Sequence, residues 1–249
     1  MNNFKLLSKT IFFPRQGILA VGDLHLGYDS MLKNQGISLN FNQLEDTKSE
    51  LEIIIKKIRA ISTLKKIIIL GDIKHHFSFD KGEVFDLRNF IRFLEKYLPK
   101  ENIILIKGNH DTFTLKDYKL RDYYIEDDLA FMHGDKSFPE IFKNKKIKTI
   151  VIGHIHPAIW LKDKCLGKGG VKREKYKAFL IGRFKGKKLI VVPSFFPLID
   201  GSEINELYGS GGGSKKFSII SKTSLNNFEV FIVGKGTKVY DFGKYGDLN

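Results

Sequence analysis

Residues 103–111 read IILIKGNHD. Four branched apolar residues, Ile103-Ile104-Leu105-Ile106, stop at Lys107, and Gly108, Asn109, His110 and Asp111 then occupy successive positions. An apolar run this short predicts a strand covered on both faces. The role of the polar residues after it is open on local grounds. Gly, Asn and Asp are ordinary turn residues, yet His beside Asp is also a pair that acid–base chemistry uses. The rest of the chain has to decide between the two.

The same grammar recurs upstream and downstream. Ile18-Leu19-Ala20-Val21, Ile67-Ile68-Ile69-Leu70 and Thr149-Ile150-Val151-Ile152 are equally short and apolar, and each is followed by Gly. Between the first three strands lie helical periods. Leu44, Leu51, Ile54, Ile55, Ile58 and Ile61 form one stripe; Phe85, Leu87, Phe90, Ile91, Leu94 and Leu98 form another, which Pro99 ends. Strand–helix alternation predicts a largely parallel sheet with helices outside. The second half differs. Phe179 to Ile181, Leu189 to Val192, Phe217 to Ile220, Phe228 to Val233 and Lys238 to Phe242 are strand-like and separated by Gly or Asn clusters, which predicts antiparallel hairpins. The expected architecture is α/β: two sheets stacked on a shared core and flanked by helices, in a single domain over residues 1–249. The strand-end motifs occupy 20–157 and the β-rich half 176–245.

Composition excludes several classes. Hydrophobic residues make up 42% of the 249 residues and charged residues 28%, the balance of a globular protein. No basic start leads into an apolar core, so no signal peptide is expected. The longest apolar stretch, LIVVPSFFPLI over 189–199, holds two prolines and is too short to span a bilayer. A single cysteine, Cys165, excludes an internal disulfide and suits the cytoplasm. The net charge of +14 suits polyanionic partners, although 35 of the 42 basic residues are scattered lysines. One basic segment stands out, Lys162 to Lys177, with Lys162, Lys164, Lys168, Lys172, Arg173, Lys175 and Lys177. Read alone it is a solvated hairpin loop or a contact for nucleic acid. The run Gly209 to Ser214 lacks phosphate-loop spacing and reads as a flexible loop.

The polar residues after the strands carry the chemistry. Val21 is followed by Gly22-Asp23-Leu24-His25, Leu70 by Gly71-Asp72, and Ile106 by Lys107 and Gly108-Asn109-His110-Asp111. Met132 is followed by His133, and Ile152 by Gly153-His154-Ile155-His156. In open α/β sheets ligands bind beyond the carboxyl ends of strands, so residues spread from 23 to 156 can converge. Asp23, His25, Asp72, Asn109, His133, His154 and His156 are all oxygen or imidazole donors. Seven are too many for one tetrahedral ion and suit two divalent ions if a carboxylate is shared. In extended chain, residues i and i+2 point the same way, so Asp-x-His and His-x-His are each expected to face one ion. Five of the seven histidines fall in these motifs; the other two, His75 and His76, lie shortly after Asp72. Independent turns do not explain that concentration.

As a set, D-x-H, G-D, G-N-H-D, H and G-H-x-H, in this order over residues 20–157, resemble the calcineurin-like metallophosphoesterase superfamily. The run Gly71-Asp72-Ile73-Lys74-His75, the Pro after His156 and Val192-Pro193-Ser194-Phe195 are similar to its prokaryotic ICC-like subgroup, which includes phosphoesterases associated with DNA ligase. The resemblance implies a β-sandwich flanked by helices. It implies Asp23, His25 and His156 on one ion, Asn109, His133 and His154 on the other, and Asp72 bridging. Manganese is the expected metal, with Zn, Fe, Ni or Mg as alternatives. His110 is implied as the catalytic group beside the scissile phosphate, with Asp111 orienting it, and a metal-bridging hydroxide as nucleophile. Where many members carry Asp, this chain has His75; Lys74 and His75 are candidate substrate contacts. The implied activity is phosphoester hydrolysis, with nucleotides or single-stranded nucleic acid favoured by charge. Alternatives are a phosphomonoesterase, a pyrophosphohydrolase of nucleotide-linked lipids, and a non-catalytic scaffold. The scaffold reading is disfavoured because all seven donors and His110 are present.

Overall fold

The computed structural model of the chain describes residues 3–37, 40–75, 81–112, 115, 117–163, 172–198, 201–203, 219–220 and 222–248. His76, Cys165, the Gly-rich run 209–214 and residues 164–171 of the basic segment lie outside the described residues.

The first sheet holds β1 (Lys5–Leu7), β2 (Thr10–Phe13), β3 (Ile18–Val21), β4 (Lys66–Ile69), β5 (Ile103–Ile106) and β6 (Leu120–Arg121), in that spatial order. The first three pair antiparallel and β3 to β6 pair parallel. Helices α1 (Tyr28–Asn34) and α2 (Gln43–Ile61) link β3 to β4, and α3 (Lys81–Glu95) links β4 to β5. Asn42 caps α2: its side chain accepts from the Glu45 amide at 3.2 Å. Leu44, Leu51, Ile54, Ile55 and Ile58 form the buried stripe of α2 as expected, but Ile61 and Phe85, counted in the two stripes, are 58% and 64% exposed. Each stands near a helix end, where the apolar face has run past the sheet it covers.

The second sheet is built from β7 (Tyr123–Glu126), β8 (Leu129–Met132), β9 (Thr149–Ile152), β10 (Pro157–Asp163), β11 (Lys172–Phe184), β12 (Lys187–Val191) and β13 (Ser202–Glu203). Their order is β13-β10-β11-β12-β9-β8-β7, with β14 (Glu229–Val233) on β11 and β15 (Val239–Lys244) on β14. The expected hairpins are present: β10, β11, β12, β14 and β15 are joined antiparallel. The sheet is nevertheless mixed, because β8 and β9 pair parallel and β9 pairs parallel with β12. The buried apolar runs of β8 and β9 suit that interior position. Of the strand expected at 217–220, Ile219 and Ile220 lie outside any strand and Phe217 and Ser218 are not described.

Two-residue periodicity assigns every central side chain to one of two faces. Ile18, Ala20, Ile68, Leu70, Ile104 and Ile106 share one apolar cluster with Phe131, Val151, Phe179, Ile190 and Val192. That cluster draws on both sheets and is the core of the sandwich. Leu19, Val21, Ile67, Ile69, Ile103 and Leu105 turn the other way and meet α2 and α3. On the second sheet Ala130, Met132, Ile150, Ile152, Leu189 and Val191 form the outer layer with Ile141 of the short helix α4 (Pro139–Lys143). The two-sheet α/β architecture is therefore the one expected. It brings the carboxyl ends of β3, β4, β5, β8 and β9 to one edge of the sandwich.

Candidate metal centre

Each of those five strands ends and releases one segment of the site. Asp23 and His25 follow β3, Asp72 follows β4, and Asn109 follows β5. His133 follows β8, and His154 and His156 follow β9. The segments are stitched through main chain. The Leu24 and His25 amides both donate to the Asp72 carbonyl, at 3.1 and 2.9 Å. The Gly153 amide donates to the His133 carbonyl at 2.9 Å, and the His154 amide reaches the Asp23 carboxylate at 3.0 Å.

The donors gather into overlapping groups: Asp23 with His25 and His156, Asp72 with His133 and His154, and His25 with Asp72 and His110. Within each group the ligand atoms lie within 4.8 Å of one another. Asp23 Oδ1 stands 3.3 Å from His156 Nε2 and 3.4 Å from His133 Nδ1. Asp72 Oδ2 stands between the groups, 4.0 Å from His25 Nε2 and 3.4 Å from His133 Nε2. Exposed Asn109 joins through Oδ1, 3.1 Å from His133 Nε2. His133 Nδ1 contacts the Leu70 carbonyl at 2.8 Å. A carbonyl only accepts, so Nδ1 carries the proton and the Nε2 lone pair is directed at Asp72, Asn109 and His154.

The donor set fits divalent cations. Asp23 and Asp72 are almost fully buried. Burial alone raises their pKa values, but His156, His133 and His25 outweigh it at Asp23, and His133 does so at Asp72; both carboxyls are held below the usual range. Burial, aided by His156, drives His25 down to about 3, which leaves the neutral imidazole that ligation requires. His133 goes the other way. Burial opposes its charge, yet Asp72 and Asp23 push it up to about 9. That field favours positive charge at His133, and it favours a metal cation there for the same reason. The Nδ1 of His25 is buried without a hydrogen-bond partner among the described residues.

The motifs converge, but not through extended chain. His25, Asp72, His154 and His156 have φ values of 46°, 44°, 64° and 47°. That is the left-handed region, which costs a non-glycine residue roughly 1–2 kcal/mol. Asp-x-His and His-x-His therefore bring their ends together by tight turns rather than by strand alternation. Their glycines matter for close approach. A Cβ on Gly108 would lie 2.2 Å from both the amide nitrogen and Oδ1 of Asp72, and one on Gly153 would lie 2.6 Å from Asp23 Oδ2.

Asp111 departs from its expected part. Rather than orienting His110, its fully buried carboxylate accepts the Gly108 amide at 2.9 Å, the Ile73 amide at 3.0 Å and the Lys74 amide at 3.4 Å. It ties the turn after β5 to the turn after β4. Burial is the main cause of its pKa of about 6; the Gly108 amide works against the rise and Asp72 adds to it. His110 is oriented instead by His75, whose carbonyl accepts Nδ1–H at 2.6 Å. The His110 amide donates to Asp72 Oδ1 at 2.9 Å. Of the two candidate substrate contacts, Lys74 is buried, and the His75 ring stands 4.8 Å from Tyr28 and 5.6 Å from His25. Asp111→Ala leaves three amides without their acceptor and is expected to cost about 2–4 kcal/mol. Calorimetry should show a Tm lower by roughly 5–10 °C; an unchanged Tm would mean that the carboxylate does not hold the two turns.

Residues 17–131 match the model of a family described as calcineurin-like phosphoesterase. The match takes in the segments that carry Asp23, His25, Asp72 and Asn109 and stops short of His133. In fold the chain is similar to a nuclease from Pseudomonas putida, with a TM-score of 0.59 at 17% identity over 96% of this chain and 100% of that one. A metallophosphoesterase from Sphaerobacter thermophilus also aligns, at 12% identity and a TM-score of 0.35, over 93% of this chain and 90% of that one. No curated protein matches in sequence.

The donor residues are held in place by residues that carry no motif. Gln43, at the start of α2, donates through Nε2 to the Leu24 and His25 carbonyls at 3.0 and 2.8 Å and accepts the Tyr28 amide at 3.0 Å. Its side chain replaces water for the buried turn that holds Asp23 and His25. Ser194 Oγ and the amides of Phe195 and Phe196 all converge on the Asp23 carbonyl. In the sequence the segment 192–195 is visible only as a likeness to a subgroup. Gln43 gives no signal there, because a Gln at a helix start is unremarkable until its partners are known.

Proposed function

We propose that the protein is a divalent-metal-dependent phosphodiesterase acting on nucleotides or nucleic acid. The observation that carries this reading is Asp72 Oδ2, placed between the imidazoles of two donor groups at 4.0 and 3.4 Å. A shared carboxylate is what a two-ion site requires. Asp23, His25 and His156 would hold one ion and Asn109, His133 and His154 the other. Bound there, the ions would supply Lewis-acid catalysis, polarising phosphoryl oxygens and acidifying water. Manganese fits the mixed carboxylate and imidazole set.

The chain's own groups do the rest. Asp72 fixes the His110 backbone and the His75 carbonyl fixes its ring, so Nε2 is the nitrogen that serves the substrate. In its doubly protonated form His110 would donate from Nε2 to a phosphoryl oxygen or give that proton to the leaving oxygen, keeping Nδ1–H on the His75 carbonyl. His75, in the same turn, lies on the approach. The +14 charge favours polyanions, and a nuclease of the same fold supplies a precedent for nucleic acid. The shared sandwich core supports one domain, and the single cysteine supports the cytoplasm. Among the described residues no helix is long and apolar enough to cross a membrane.

A substrate panel tests the reading. Mn-loaded protein should hydrolyse an aryl phosphodiester or single-stranded DNA, and chelation should remove that activity. Turnover of phosphomonoesters alone, or of nucleotide-linked lipid pyrophosphates alone, would replace the substrate class. Failure on every phosphoester would overturn the reading.

A further inference from the structure

The turn over Pro193 to Phe196 follows β12 of the second sheet, and Asp23 follows β3 of the first. They meet closely. The carbonyl oxygen of Asp23 receives the Phe195 amide at 3.0 Å, the Phe196 amide at 3.2 Å and Ser194 Oγ at 3.1 Å. A Cβ on Gly22 would lie 2.4 Å from the Pro193 carbonyl oxygen. Three donors on one carbonyl make it the most heavily held main-chain atom described at the site.

The far ends of the same peptides are held by cations. The peptide that presents the Phe195 amide ends in the Ser194 carbonyl, which accepts from Lys177 Nζ at 2.9 Å. The peptide that presents the Phe196 amide ends in the Phe195 carbonyl, which accepts from Lys9 Nζ at 3.0 Å. Lys177 Nζ also donates to the Phe196 carbonyl. Each peptide dipole thus runs from a lysine ammonium to the Asp23 carbonyl. A cation on the C=O end polarises the peptide and strengthens donation at its N–H end.

We infer that Lys9 and Lys177 are positioning residues for the metal ligand Asp23, acting through the Ser194–Phe196 turn. Lys9 stands in the turn between β1 and β2 and Lys177 on β11, so the two sheets each contribute one. Lys9 is buried, packs 4.6 Å over the Phe195 ring and pairs with Glu50 at 2.6 Å. Phe195 and Phe196 are themselves buried. An apolar turn packs at lower desolvation cost against apolar neighbours than against ammonium groups. What the cations add is alignment of the peptides that grip Asp23. Lys177, in a basic segment that reads alone as a solvated hairpin loop or a nucleic-acid contact, is directed inward to these carbonyls.

The inference rests on the metal-centre reading, and the test separates the two. Mn affinity is measured by calorimetry on metal-free Lys177→Met, Ser194→Ala, Lys57→Met and wild-type protein, with the Tm of each metal-free form measured alongside. Lys57 is an exposed lysine whose ammonium binds Thr237 Oγ1 and serves as the charge control. Lys177→Met should weaken Mn binding about 10–100-fold, the range for residues that orient ligands, and Ser194→Ala should weaken it in the same direction. Lys57→Met should match wild type. If Lys177→Met lowers Tm while Mn affinity stays wild-type, the role is structural and the inference is overturned. Equal weakening by Lys57→Met would overturn it too, since net charge would then be the cause. Should Lys177→Met not fold, Ser194→Ala decides by the same criterion. Wild-type protein that takes up no divalent cation would overturn the metal-centre reading itself.

Discussion

His110→Ala is expected to lower kcat on a phosphodiester by about 10²–10⁴-fold, the usual worth of a positioned acid–base group, while Mn affinity stays close to wild type. The structure makes the two readouts separable. His110 shares a donor group with His25 and Asp72, so proximity alone would also admit it as a ligand. Yet His25 and Asp72 each belong to a second group that is complete without it. The Nδ1 of His110 is engaged by the His75 carbonyl at 2.6 Å, and its ring centre stands 5.2 Å from that of His25. This sets the His110 imidazole beside the donor set, where the proposed reaction would use it. Metal titration and steady-state kinetics on one preparation decide the matter. Loss of one equivalent of Mn in His110→Ala would reassign His110 as a ligand. An unchanged kcat would remove it from the chemistry.

Gly108→Ala should also damage activity, and for a steric reason. The new methyl would meet the Asp72 amide nitrogen and Oδ1 at 2.2 Å and its Cγ at 2.9 Å. Main-chain atoms cannot yield as a flexible side-chain tip can, so the turns after β4 and β5 must separate. Overpacking of this kind costs about 1–3 kcal/mol. Separation would also pull on the Asp111 carboxylate, which holds Gly108, Ile73 and Lys74 together. Because Asp72 is the carboxylate between the two donor groups, its displacement should lower Mn affinity at both, and Mn-dependent turnover should fall by at least about tenfold. A Gly108→Ala protein with wild-type Mn affinity would show that the close approach is not needed.

The stretch IILIKGNHD shows how far local patterns reach. Its apolar run is a strand buried on both faces because such runs have few other uses. The polar residues after it gain meaning because four other strand ends carry matching donors. The departures from expectation are local and share one cause. Strand geometry is the natural reading of Asp-x-His and His-x-His, yet His25, His154 and His156 adopt left-handed backbone, as does Asp72 beside them. The spacing between residues does not encode which dihedral angles lie between them. Adjacency in sequence likewise suggests Asp111 as the partner of His110. In space its carboxylate turns back to the amides of Gly108, Ile73 and Lys74, and the orienting acceptor for His110 comes from His75.

By itself the sequence determined the two-sheet α/β class, the strands that deliver the site and the donor types at their ends. Those properties depend on periodicity and residue chemistry, which are local. Only the tertiary structure decided that the His75 carbonyl rather than Asp111 meets the His110 ring, that Gln43 and Ser194 hold the carbonyls of the Asp23–His25 turn, and that Lys9 and Lys177 hold those of the turn beside it. These are contacts across the fold: the His154 amide reaches Asp23 over 131 positions, and Lys9 reaches the Phe195 carbonyl over 186. Hydrogen-bond partners at such separations are selected by how two sheets stack, and no local pattern of residues records that.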